Sequence, residues 1–493
     1  MTHATAGPVR RLLVATAALV VVGGAAVGLG GSVGGSSVTD APRAAVPVAD
    51  CGPGSRPETD IQGRVPLADY VSGRAGEGYT CNTRELARHG TTGGFKVLRY
   101  TDRTGRTCAY YDNTLLFPRD ALDNLVDGQG TVVLDMTRPS RPVETTRLTS
   151  PAMISPHESL LVNKRRGLLA GVLGTAATYP GILDVYDISR DCRAPRLLSS
   201  TPSGVLGHES GWSKDGRTFY TSSAVQTLVG VDLTDPADPE TLFVRPGVYY
   251  HGLRLSSDDR TLYAANLGTP GPTLLSGAGL AVLDVSDVHE RLPDAEPQVI
   301  STLAWDDASI PQVAEPFRRG GRDYVFEIDE FIDFFELTGL AAFPRSPVGI
   351  ARIIDVDDPR RPRVVSEIAL EVHEDEVRDG PQLLDPGALF PAQGYAGHYC
   401  SLPTRRAPKI AGCSMILSGL RLFDIRDVRN PREVAYFNQP LVPGERLALP
   451  TLAGGYAMSA PAWDRRRGQV WYSDVNTGFY TVKLTNGVAR LLR

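Results

Sequence analysis

WSKDGRTFYTSS (212–223) and VGVDLTDPADPETLF (229–243) follow one another almost directly in the chain. In the first piece Asp215, Gly216 and Arg217 separate two runs rich in aromatic and β-branched residues, which reads as a hairpin. In the second, an apolar strand ends on Asp232, a polar turn carries Pro236 and Pro239, and another strand follows. The Asp side chain can accept hydrogen bonds from turn amides, and Pro fixes φ for the reversal. Hairpin and corner together make four strands.

The same pair of elements recurs along the chain. Hairpins read YTDRTGRTCAYY (100–111), VNKRRGLLAG (162–171), LSSDDRTLYAAN (255–266), FRRGGRDYVFEI (317–328) and WDRRRGQVWYSD (463–474). Corners follow strands ending in Asp135, Asp187, Asp232, Asp284, Asp355 and Asp424. Units begin near residues 95, 155, 206, 249, 311, 396 and 458. Four-stranded repeats at roughly 40–50 residues plus insertions predict an all-β chain, a seven-bladed β-propeller with antiparallel blades. The last unit supplies three strands, so a fourth from the N-terminal part is expected to close the ring and remove an open edge. The abundance of 51 Gly and 37 Pro among 493 residues fits this many turns.

The expected domains are a signal peptide or anchor (1–30), a low-complexity linker (31–50), a segment that packs on or closes the propeller (51–94), and the propeller itself (95–493). Arg10 and Arg11 precede an apolar run from Leu12 to Val22, the pattern of an export signal. A secreted or cell-envelope protein is therefore expected, touching a membrane only through an uncleaved N-terminal segment. A net charge of −5 argues against nucleic acid as a partner. Export makes the six Cys meaningful, because an even number in an oxidising compartment suggests disulfides. Cys400 and Cys413 flank the sixth hairpin turn and are the favoured pair. Cys51, Cys81, Cys108 and Cys192 are expected to tie the N-terminal segment to the first two blades.

The strand-Asp-turn-Pro corners resemble those of the LVIVD-repeat propellers, a group of secreted or surface bacterial proteins, over roughly residues 95–485. SPHES (155–159), GHESG (207–211) and SGLR (418–421) look like an actinobacterial branch of that group. The resemblance implies a propeller and says almost nothing about activity.

Residues just before the first strand of each blade converge on one mouth of the central channel. His157, His208, His251 and His398 all hold that position, with Gln312 near it in the fifth unit and Ser459 in the seventh. Four converging imidazoles can bind copper, zinc or iron. Glu158 and Glu209 follow two of them and are expected to orient the rings from behind. The run from Glu327 to Asp333 can aim carboxylates at the same mouth, with Glu327 and Asp329 as candidate general bases. Inherited blade packing explains repeated histidines equally well. Two functions stay open: a binding or scaffold protein, engaging a protein or small molecule through the channel mouth and the long insertions (305–320, 337–350, 371–396, 438–456), or a metal-dependent oxidase, lyase or hydrolase.

Overall fold

Each hairpin-and-corner unit forms one antiparallel sheet, and seven such sheets make up the propeller. The computed structural model describes residues 44–114, 128–174, 181–204, 208–223, 226–269, 276–331, 347–387, 394–441 and 454–493. The expected signal segment and residues 31–43 of the expected linker lie outside the described residues. Among the described residues no helix is long and apolar enough to cross a membrane.

Blade three shows the plan. Glu209–Trp212, Thr218–Ser223, Thr227–Asp232 and Glu240–Pro246 pair in chain order. The six corner aspartates each end a third strand. In every case the carboxylate accepts the backbone N–H two residues on: Thr137, Ser189, Thr234, Ser286, Asp357 and Arg426, at 2.7–3.1 Å. The corner chemistry read from the sequence is thus what turns the chain. Third strands are covered on both faces and read as apolar runs such as Leu280–Leu283, whereas fourth strands such as Glu240–Pro246 and Gln298–Ala304 mix buried and exposed residues.

The N-terminal segment adds two strands. Tyr79–Cys81 pairs with Arg432–Asn438 as a fifth strand of blade six. Thr83–His89 pairs with Gly478–Leu484 as the outer strand of blade seven. The join between blades seven and one is apolar: Ala462, Trp471 and Phe479 pack with Val97, Ala109, Tyr111, Val132 and Leu134. At its inner end Ala460 N–H donates to the Phe95 carbonyl at 2.8 Å.

Several expectations need correction. Residues 44–50, read as linker, are docked: Val46 is buried and its N–H donates to the Ala369 carbonyl at 2.9 Å. The insertion expected at 305–320 is largely the inner strand of blade five, Ile310–Arg319. The described parts of 371–396 pack inward on the N-terminal segment, where Arg64 grips Asp385 at 2.8 Å and Tyr395 Oη donates to the Val65 carbonyl at 3.0 Å. Residues 337–346 and 442–453 of the other two insertions lie outside the described residues.

All six cysteines are paired. Cys400 and Cys413 are directly opposed on neighbouring strands and form a disulfide. Cys108–Cys192 joins blades one and two, but Cys51–Cys81 lies within the N-terminal segment and does not reach those blades.

Candidate functional site

The starts of the inner strands meet at one channel mouth, and the four histidines meet with them. Ring centroids of His157 and His208 are 4.6 Å apart, and those of His208 and His251 are 4.7 Å apart. The His208 and His251 Nε2 atoms approach to 3.0 Å. His398 faces them across two carboxylates. Glu158 Oε2 lies 3.4 Å from His208 Nε2 and 3.3 Å from His251 Nε2, while Oε1 lies 3.5 Å from His398 Nε2. Glu330 completes the cluster, 3.0 Å from His398 Nε2 and 3.4 Å from His251 Nε2.

Main-chain carbonyls orient two of the rings. His251 Nδ1 lies 3.1 Å from the Gln312 carbonyl, and His398 Nδ1 lies 2.7 Å from the Met458 carbonyl. A carbonyl only accepts, so each Nδ1 carries a proton and Nε2 is the atom that each ring turns to the carboxylates. This second contact is the one that fixes ring and tautomer in metal-binding histidines. Gly252 makes the first of them accessible, since a Cβ there would lie 2.3 Å from the Gln312 oxygen. The inner strands of blades four and five shift register between Tyr250 and Leu253 and between Pro311 and Val313. His251 and Gln312 therefore sit in bulges, which re-aim side chains at channel rims.

The Gln312 amide donates to Glu158 Oε1 at 2.9 Å and so positions the carboxylate. Phe95 packs 4.1 Å from the His157 ring and Phe331 packs 5.3 Å from the His398 ring, giving the cluster apolar flanks. His157 and Phe331 both hold left-handed backbone, with φ +49° and +59°. Non-glycine residues there carry a conformational cost of about 1–3 kcal/mol, and such strain gathers at functional sites.

The electrostatics follow from burial and crowding. Burial pushes the Glu158 carboxyl up, but the imidazoles, His251 first, outweigh it and hold the group well below the usual carboxylate range. Burial and the neighbouring His208 push His157 well below the usual imidazole value, and burial lowers His251 despite its carboxylates. His208 goes the other way: burial opposes its charge, but Glu158 beside it wins and raises it.

The other expected site residues are placed elsewhere. Side chains alternate along a strand, so Glu330 faces the histidines while Glu327 and Asp329 turn away. Arg352 binds Asp329 at 2.9 Å and lies 3.8 Å from Glu327, and Trp305 Nε1 donates to Asp329 at 3.0 Å. These two carboxylates lie beside Arg352, away from the histidines at the mouth. Glu158 does not support a ring from behind; it lies between three of them. Glu209 is turned below the histidine layer, where it contacts Lys96, Arg254 (3.1 Å) and Tyr399 (3.3 Å). One buried carboxylate thus ties blades one, three, four and six across the channel.

The fold and site define the class: a seven-bladed β-propeller whose channel mouth is lined by four histidines and two glutamates. No family model and no curated protein matches the chain. Solved structures do. A chain of Kuenenia stuttgartiensis hydrazine synthase superposes with a TM-score of 0.50 at 13% identity, covering 81% of this chain and 97% of that one. A Bacteroides uniformis protein provisionally described as a 6-phosphogluconolactonase gives a TM-score of 0.44 at 15% identity, covering 72% of this chain and 91% of that one. The first likeness shows the propeller architecture alone.

Proposed function

We propose that this chain is an extracytoplasmic propeller of the LVIVD-repeat type that binds a divalent transition metal at its histidine-lined mouth. One observation carries the reading. His208 Nε2, His251 Nε2 and Glu158 Oε2 form a closed triangle with sides of 3.0, 3.3 and 3.4 Å. Ligands about 2.1 Å from a common ion are separated by about 3.0 Å in an octahedron and about 3.4 Å in a tetrahedron. Two imidazoles and one carboxylate on one face leave the other positions open, a donor set suited to iron, zinc or copper.

Such an ion supplies Lewis acidity or, if redox-active, electron transfer. The protein's part is to hold it. The Gln312 and Met458 carbonyls fix two rings, the Gln312 amide sets the Glu158 rotamer, and Phe95 and Phe331 keep water from the flanks. The extracytoplasmic assignment is supported by three disulfides and by the basic-then-apolar N-terminal sequence.

Metal analysis of protein exported by its own route tests the reading. Stoichiometric metal is expected, lost in the His208→Ala/His251→Ala double variant with circular dichroism unchanged. Metal-free wild type would sink it and favour a propeller that binds partners without a metal.

A further inference from the structure

We infer that the mouth holds two metal ions bridged by the carboxylate of Glu158. This rests on the metal-centre reading above and adds the nuclearity and the ligand partition.

The two oxygens of Glu158 serve different neighbours. Oε2 closes the triangle with His208 and His251, and Oε1 faces His398 at 3.5 Å. His398 Nε2 is in turn 3.0 Å from Glu330 Oε2. Ligand atoms of Glu158, Glu330 and His398 all lie within 4.8 Å of one another, and so do those of His157, Glu158 and His208. Glu158 is the residue the two groups share. Six side chains are more than one zinc site uses, since a structural zinc takes four and a catalytic one three. Two half-sites of three that share Glu158 use five of the six side chains, and His251 stands beside both.

Unsatisfied atoms fall in both halves. Glu158 Oε2 and His398 Nε2 are buried without a hydrogen-bond partner among the described residues. Glu158 is 1% exposed and His398 is 0% exposed, so neither atom can turn to bulk water for compensation. His251 stands between the halves, 3.3 Å from Glu158 Oε2 and 3.4 Å from Glu330 Oε1. The left-handed residues flank both carboxylates: His157 precedes Glu158, and Phe331 follows Glu330.

Charge adds the ligand class. Two divalent ions outweigh two carboxylates by two positive charges, and neutral imidazoles do not change the balance. The open positions therefore belong to hydroxide and to an anionic ligand such as a carboxylate or other oxyanion.

The test is titration of the metal-free full chain with Co(II), read by visible absorption, and with Mn(II), read by electron paramagnetic resonance. Two equivalents are expected, with the isolated-ion Mn(II) signal collapsing as the second ion couples to the first through the bridge. Glu330→Gln should halve the uptake. Saturation at one equivalent overturns the two-ion centre and leaves the single-ion reading standing. No uptake overturns both. Two uncoupled ions, or two ions in a folded Glu330→Gln variant, place the second ion elsewhere and overturn the inference. Should that variant fail to fold, the wild-type titration and its coupling decide alone.

Discussion

His208 and His251 bring their Nε2 atoms to 3.0 Å, closer than two bare lone pairs allow. His251 has its proton on Nδ1, facing the Gln312 carbonyl at 3.1 Å. Without a metal, the proton between the two rings must come from His208. Their surroundings divide them the same way, with His208 raised by Glu158 against the pull of burial and His251 lowered by burial.

Proton and metal therefore compete for one place. In the metal-free protein, His208 is raised above its unfolded value near 6.5. Its stabilising contribution is complete below that value and is lost as pH rises through the higher folded value. Melting temperature of the metal-free wild type, relative to His208→Asn, should fall across that window. Metal should do the reverse, binding more tightly as the proton leaves, with proton release seen as a buffer-dependent heat in calorimetry. A buffer-independent heat would remove the competition.

Glu209 makes a second prediction, one layer down the channel. Burial pushes its carboxyl up, but Arg254 first, then Lys96, hold it below the usual range. Arg254 also holds Glu315 at 2.6 Å. Arg254→Met leaves both carboxylates short of a cation, and removing one partner of a buried pair costs about 3–5 kcal/mol. Urea denaturation should show that loss, with Arg254→Met/Glu209→Gln recovering part of it. A loss below about 1 kcal/mol would show that Lys96 alone satisfies Glu209.

The fold was legible because each blade repeats one local solution. An Asp that accepts its own turn's amide needs no distant partner, so Asp135 and Asp424 announce their corners by sequence alone. The convergence of the histidines was legible for the same reason, since blade position fixes where His157, His208, His251 and His398 start. Which carboxylate joins them was not. Glu327, Asp329 and Glu330 lie within four residues, and which of them faces the channel depends on strand register, which the bulge at Gln312 shifts by one. Glu158 and Glu209 follow His157 and His208 in the same way, yet they occupy different layers. His157 holds left-handed backbone, which no residue type in the sequence signals.

The disulfides should rank by loop length. Cys400–Cys413 closes 13 residues and Cys108–Cys192 closes 84. Loop-closure entropy gives about 3 kcal/mol for the shorter and about 4–5 kcal/mol for the longer. Paired Cys→Ser variants, compared by urea unfolding, should show the larger loss at Cys108–Cys192. The shorter bridge should also order its own turn, which carries Arg405, whose guanidinium donates to the Leu255 carbonyl of blade four at 2.8 Å. Equal losses would mean that native contacts, not chain entropy, set the value of both.

Asp112 offers a pH test outside the metal cluster. Its Oδ1 accepts the amides of Phe95 and Lys96 at 3.0 and 3.4 Å, and so holds Phe95 beside His157. Its Oδ2 is buried without a hydrogen-bond partner among the described residues, and burial pushes the carboxyl up to about 7. Raised above its unfolded value, it stabilises fully below about pH 4 and loses that contribution as pH climbs to about 7. Asp112→Asn stays neutral throughout and can still accept the two amides. Its stability relative to wild type should therefore rise by a few kcal/mol between pH 4 and 8, a difference in which other titrating groups such as Asp474 cancel. Urea midpoints at a series of pH values check this. A flat difference would mean that Asp112 is ionised at pH 4 and that its second oxygen finds a donor in solution.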